Sequence, residues 1–243
     1  MKKVAMITGA SKGLGRALSI FFAQEGYNLA ICARNEAALI EVTKEAEKLG
    51  SRVLAVSADV SQEEDVERFI ALTEKHFQTI DVLINNAAVN GPTPLPVLLL
   101  NHQKHDIEET LRVNTVGAFL VTKRVLPLML QKGIGSVINL TTDAAANIYP
   151  GIGAYSISKI ALEGLTKIWA AELEGSGVRV NLVDPGAMDT DMLNAAMPIR
   201  DFEVALPEDI TKVFGYLASD ASRDKNGMRF KAQEFHLVET DRV

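Results

Sequence analysis

The chain has 243 residues, 47% of them apolar, a formal net charge of −6 and a single cysteine. That length and apolar content suit one sizeable domain, residues 1–243, while the acidic balance and the lack of a basic patch argue against a nucleic-acid partner. Cys32 alone excludes an internal disulfide, no run approaches the ~18–20 apolar residues of a membrane span, and Met1-Lys2-Lys3 leads straight into a core strand, so a cytoplasmic protein is expected.

In chain order, Lys3 to Ile7 reads as a short buried strand that runs into Thr8-Gly9-Ala10-Ser11-Lys12-Gly13-Leu14-Gly15, followed by helical spacing over 16–24. Glycines at 9, 13 and 15 permit a tight turn and close backbone approach to a pyrophosphate, whose charge would sit against the free N–H groups of the helix start. Such a loop can be a plain structural turn, but its place between the first strand and first helix points to a dinucleotide. The second strand, 28–33, holds Cys32 as a buried structural thiol and ends at Ala33-Arg34. An acid here would bind the adenosine ribose, whereas Arg34, with Lys12 as a second cation, accommodates a 2′-phosphate, so NADP(H) is expected over NAD(H). The alternative is a solvated Arg34 beside Asn35, with Glu36 on an unphosphorylated ribose.

Further strands are predicted at 52–57, 81–85, 135–141 and 178–183, with helical patterns between them and a last strand around Phe230. Asp59 and Val60 follow the third. The alternation predicts an α/β fold, a parallel sheet covered on both faces with its ligand at the carboxyl ends of the strands. Prolines at 92, 94 and 96 open an apolar run over 95–100 that borders either a pocket or a subunit contact. His102 and His105 could share a helical turn, as a solvated pair rather than a metal site; no metal is expected. Pro207, with Glu208 and Asp209 behind it, suits a helix start.

Tyr155 and Lys159, in the run AYSISK, lie four apart and so share one helix face. An ammonium close to a phenol favours the phenolate and makes a general acid or base usable near neutral pH. With the glycine loop stand Asn85-Asn86-Ala87-Ala88, Asn114 in RVNTVGAF, Asn139-Leu140-Thr141-Thr142 and Asp184-Pro185-Gly186. In this order the motifs resemble the short-chain dehydrogenase/reductase family, the Tyr-x-x-x-Lys oxidoreductases with a T-G-x-x-x-G-x-G cofactor loop.

The resemblance covers nearly the whole chain and implies a Rossmann-type, doubly wound parallel sheet of about seven strands. It implies an enzyme that moves a hydride between a nicotinamide and a carbonyl or secondary alcohol, of carbonyl or 3-oxoacyl reductase type. By the same resemblance Tyr155 gives its proton to the substrate oxygen, Lys159 lowers the phenol's pKa and holds ribose hydroxyls, and Asn114 keeps a water in the proton relay. Cofactor contacts would come from Thr8, Gly9, Ser11, Lys12, Gly13, Leu14, Gly15, Arg34, Asp59, Val60, Asn86, Ala87, Ala88, Pro185, Gly186 and Thr190, besides Asn114, Tyr155 and Lys159.

Two positions depart from the family pattern. Thr142, thirteen residues before Tyr155, replaces the usual serine, keeping the hydroxyl and adding a methyl that narrows the pocket. Ala88 replaces a glycine, which would strain the chain if the position needs positive φ. Asp143 is either a carboxylate near the reacting carbon or a turn residue. The methionine-rich segment 187–206 reads as a lid or as a short helix on the core. A catalytically lapsed nucleotide sensor or scaffold with the same fold is the competing function. The resemblance also implies a homo-oligomer, dimer or tetramer, through the helices bearing Asn114 and Tyr155 and the C-terminal strand, with the tetramer less secure because the tail GMRFKAQEFHLVETDRV lacks the family's closing glycine pair.

Overall fold

A computed structural model describes residues 2–236. In chain order the principal elements are β1 (Val4–Thr8), α1 (Gly13–Gln24), β2 (Asn28–Ala33), α2 (Glu36–Lys48), β3 (Val53–Ser57), α3 (Glu63–Phe77), β4 (Val82–Asn85) and α4 (Lys104–Leu111). There follow a π-helical turn (Arg112–Gly117), α5 (Ala118–Lys132), β5 (Gly135–Leu140), α6 (Gly153–Glu172), β6 (Val178–Asp184), α7 (Asp191–Ala196), α8 (Lys212–Ala218) and β7 (Arg229–Lys231). The strands form one seven-stranded parallel sheet in the order β3-β2-β1-β4-β5-β6-β7. The Rossmann-type arrangement expected from the motifs is therefore present, with its switch point between β1 and β4.

Every residue of β1, β2, β4, β5 and β6 is buried, as strands covered on both faces must be. Successive residues of β1 serve opposite layers. Ala5 and Ile7 pack with Leu14, Leu18 and Phe22 of α1 and Phe214 of α8. Val4 and Met6 pack with Phe69 of α3 and Val121, Val125 and Met129 of α5. Buried amides link the central strands to the helices: the Asn85 amide donates to Thr122 and to Asn139, whose own amide donates to Thr166.

The structure departs from or refines the sequence reading in three places, bearing out the last strand around Phe230. Pro207 opens a 3₁₀ turn, Pro207–Ile210, and the helix proper begins at Lys212; the Thr211 hydroxyl turns back onto the Glu208 carbonyl at 3.1 Å. The last strand has only three residues and passes at once into a 3₁₀ turn at Ala232–Glu234. The end of the tail, 237–243, on which the tetramer argument partly rested, lies outside the described residues. Third, the continuous helical run Lys104–Lys132 is long and apolar enough to cross a membrane by length and composition, contrary to expectation. Half of its most apolar window is buried inside the fold, where this run packs on α3, α6, β4 and β5, which accounts for its composition.

Gly15 fixes how closely α1 approaches the sheet, since a Cβ there would lie 2.2 Å from the Gly9 carbonyl oxygen. Gly15→Ala should lower the unfolding free energy by about 1–3 kcal/mol, the usual cost of overpacking. Urea denaturation checks this, and an unchanged midpoint would show that α1 can shift outward without cost.

Candidate active site

At the carboxyl ends of the central strands the chain leaves a cleft of about 430 Å³. Gly9 and Gly13 have positive φ, and a Cβ on Gly9 would come within 2.8 Å of the Ala87 Cα. The Thr8 hydroxyl accepts the Asn86 and Ala87 amides, each at 3.1 Å, while the Asn86 side chain donates to the Thr8 and Gly9 carbonyls. These bonds lock the glycine loop to the end of β4. Lys12, at the cap position of α1, makes no side-chain cap, so the first N–H groups of that helix are left for a ligand. Bare backbone on one side and an uncapped helix start on the other fit the pyrophosphate of a dinucleotide.

Most of the expected residues meet in this cleft: Gly9, Ser11, Lys12, Gly13, Leu14, Gly15, Arg34, Asp59, Val60, Asn86, Ala87, Ala88, Tyr155, Lys159, Pro185 and Thr190. Thr8, Asn114, Thr142 and Gly186 are not among its lining residues. Thr8 braces the loop from behind. Asn114 is buried in the π turn, where its side chain accepts the Val89 amide and donates to the Val89 carbonyl and the Ser158 hydroxyl. Ser158 in turn donates to the Tyr155 carbonyl at 2.7 Å. The Asn114 amide is thus spent on placing α6, and a relay water here would need the main chain of the π turn, a feature common at functional sites. Thr142 Oγ1 accepts the Ala144 amide at 3.4 Å, capping a 3₁₀ turn. The neighbouring Thr141 lines the cleft, its hydroxyl donating to Glu163 at 2.6 Å.

Tyr155 and Lys159 sit one turn apart on α6, as their spacing predicted, with Lys159 Nζ 5.7 Å from the phenol ring centre. Lys159 is buried and donates to the Leu140 carbonyl at 2.8 Å. The expected depression of the phenol by this ammonium is not what the structure has. Burial pushes Tyr155 up to about 12, with a further contribution from the Asp184 carboxylate, and burial draws Lys159 down to about 8. Near neutral pH the phenol therefore carries its proton, the state required of a proton donor.

At the end of β2 Arg34 is exposed on the rim of the cleft, next to Asn35, whose side chain caps α2 through the Ala38 amide. Lys12 is ion-paired at 2.8 Å to Asp191, a residue absent from the sequence reading, so the glycine loop and the 187–206 segment touch across the cleft. Thr190 caps α7 through the Leu193 amide, and α7 buries none of its residues. Met188 and Met192 line the cleft.

Ala88 carries no strain: Gln78 is the one non-glycine residue at positive φ among the described residues. Asp143 accepts hydrogen bonds from Asn147 and Tyr149, which hold its carboxyl below the usual range and make it a turn residue. Cys32 is buried, its thiol pushed up to about 12 by burial. His102 is not solvated. Its ring lies buried against Asp106 at 3.2 Å, while His105 is exposed.

The family model for short chain dehydrogenases matches residues 3–200. The chain is 34% identical over 230 residues to the 3-oxoacyl-(acyl-carrier-protein) reductase FabG of Thermotoga maritima, spanning 90% of this chain and 92% of that protein. It is 32% identical over 248 residues to a chloroplastic NADPH-dependent aldehyde reductase-like protein of Arabidopsis thaliana, spanning 93% of this chain and 90% of the relative. Among solved structures, a short chain dehydrogenase from Salmonella enterica superposes with a TM-score of 0.90 at 27% identity over 96% of both chains. One from Shigella flexneri, complexed with NADP, gives 0.89 at 27% identity over 95% of this chain and 97% of the other.

The buried Lys159 gives the site a signature in stability. Its amine titrates at about 8 in the fold against 10.5 when free, so between those values the unfolded chain binds the extra proton and stability rises with pH. Lys159→Met should remove this rise, amounting to about 2–3 kcal/mol at most. Urea midpoints for both proteins at pH 7.5 and 9.5, taken as rough brackets of that window, check it; equal gradients would contradict a depressed amine.

Proposed function

The chain belongs to the short chain dehydrogenase family and is an oxidoreductase of the carbonyl–alcohol type, and we propose that it works as an NADP(H)-dependent carbonyl reductase with residues 1–243 as one catalytic domain. The observation that carries this reading is the meeting of Tyr155 and Lys159 with the glycine loop and Arg34 in one cleft. That the relatives are oxidoreductases weighs against the lapsed sensor or scaffold, and nothing in such a role calls for a protonated phenol beside a buried amine.

When bound, a nicotinamide dinucleotide supplies or accepts the hydride. Gly9, Gly13 and Gly15 let the backbone approach its pyrophosphate, and the start of α1 offers N–H groups to the phosphate charge. Arg34, exposed and in no ion pair among the described residues, is suited to a 2′-phosphate, while Lys12 can join it only by leaving Asp191. Tyr155 gives its phenolic proton to the oxygen of the substrate carbonyl as that carbon is reduced, and takes it back in the reverse direction. Lys159 stabilises the resulting phenolate from one turn away. The Thr142 hydroxyl, released from its loose contact with Ala144, is the donor to the substrate oxygen. Asp59 and Val60, with Asn86, Ala87 and Ala88, bound the adenosine side; Pro185, Gly186 and Thr190 bound the nicotinamide side.

Met188 and Met192 form an adaptable apolar wall of the cleft, which suits carbonyl compounds with an apolar body, 3-oxoacyl thioesters among them. Val116, Ile157, Ile160 and Ile168 leave apolar surface exposed around the π turn and α6, and we infer a homo-oligomer through these faces. A cytoplasmic location fits a chain whose only thiol is buried and free.

Purified protein should consume NADPH with ketones, aldehydes or 3-oxoacyl thioesters, and Tyr155→Phe should lower kcat/KM by about 10²–10⁴-fold. Turnover that survives this substitution would exclude Tyr155 as the proton donor. Arg34→Ala should cut the preference for NADPH over NADH by about 10- to 100-fold, measured as the ratio of the two kcat/KM values. An unchanged ratio would transfer cofactor choice to Glu36 or Lys12.

A further inference from the structure

At the carboxyl ends of β5 and β6, near Tyr155, three charged side chains from three elements converge. Arg229 of β7 donates from Nη2 to the Thr142 carbonyl at 2.8 Å and to the Asp184 carboxylate at 2.9 Å. Its Nε lies 3.8 Å from Glu163 of α6, which accepts the Thr141 hydroxyl. The other oxygen of Asp184 accepts the Gly186 amide at 3.0 Å. The side chains of Asp184, Glu163 and Arg229 are 5%, 14% and 24% exposed, so these charges act through protein more than through water. Arg229 lies beyond the part of the chain that the family model matches.

We propose that Arg229 is a positioning residue of the reaction: it fixes the main chain that carries the Thr142 hydroxyl and offsets part of the Asp184 charge felt at the Tyr155 phenol. The inference rests on the reading of Tyr155 as proton donor. The geometry supports both halves. One guanidinium nitrogen spans the carboxyl ends of β5 and β6, the two strands whose following residues hold Thr142 and Pro185-Gly186. Asp184 is also the one charge whose field raises the phenol, apart from burial. Lys159 lies 5.7 Å from the Tyr155 ring centre and the Asp184 field reaches the phenol; the other charged groups of the cluster are Glu163 and Arg229, and Asp143 and Lys231, which interact with each other, Asp143 also with Arg229 and Lys231 also with Asp184. Of these, Arg229 alone is hydrogen-bonded to Asp184. An unpaired buried carboxylate would resist phenolate formation, and an unpaired guanidinium would favour it.

The two partners therefore have opposite signatures. In the direction of alcohol oxidation, where Tyr155 must be the base, the pH limb of kcat should move upward by about 1 unit in Arg229→Ala and downward by a similar amount in Asp184→Asn. Arg229→Lys should keep the limb near its wild-type position, because the charge remains, yet show a kcat lowered by about 10-fold, because the ammonium, on a side chain one bond shorter, does not reach both acceptors. The double variant R229A/D184N should return the limb while kcat stays low. If Arg229→Ala does not fold, Asp184→Asn and Arg229→Lys carry the test. Limbs unmoved in every variant that folds, with only stability reduced, would overturn the proposal and leave Arg229 a structural residue. Activity that persists in Tyr155→Phe would instead overturn the proton-donor reading, so the two failures are distinguishable.

Discussion

The clamp between Thr8 and Asn86 is the constraint on which the site depends. β1 and β4 are neighbours in the sheet, but the chain leaves them toward opposite faces, and a parallel sheet opens at such a point. Left unbraced, the glycine loop would be a floppy turn with a high entropy cost of ordering. One hydroxyl accepting two amides, and one carboxamide bonded back to two carbonyls, hold it against Ala87 at a distance only glycine permits. The helix start, the rim at Arg34 and the floor of the cleft all take their positions from that junction.

The reacting end obeys a different economy. A buried amine and a largely buried phenol are each expensive in their charged forms, and burial moves them in opposite directions, Lys159 down and Tyr155 up. The site as it stands thus stores a proton on the phenol. Lys159 has the Leu140 carbonyl as its hydrogen-bond acceptor, which anchors the amine to the end of β5 and keeps it from pairing with a carboxylate that would quench it. The charges that do pair, Asp184 and Arg229, lie one layer further back.

Local signals were legible in the sequence, and long-range ones were not. The glycine loop and the Tyr155–Lys159 turn could be read because spacing within one turn or one helix determines which backbone is bare and which side chains share a face. The strands could be read because burial on both faces leaves continuous apolar runs. The ion pair of Lys12 with Asp191 joins residues far apart in the chain, as does Arg229 with Asp184, and no periodicity announces either. His102 was misread for the same reason: its partner Asp106 is on the next turn, but the loop that buries both, through Thr93, folds back from upstream. Thr142 and Asn114 could be singled out along the chain, yet neighbours, not position, decide what their side chains do.

The pair of Lys12 with Asp191 ties together the two walls between which a dinucleotide must pass, and both side chains are well exposed. Mobile ions screen such a contact, so rising ionic strength loosens the latch and eases entry. The same ions screen the attraction of Arg34 and Lys12 for an incoming phosphate and slow the encounter. The two influences oppose each other at one residue, so salt would act with opposite sign on this latch and on the approach of a phosphate.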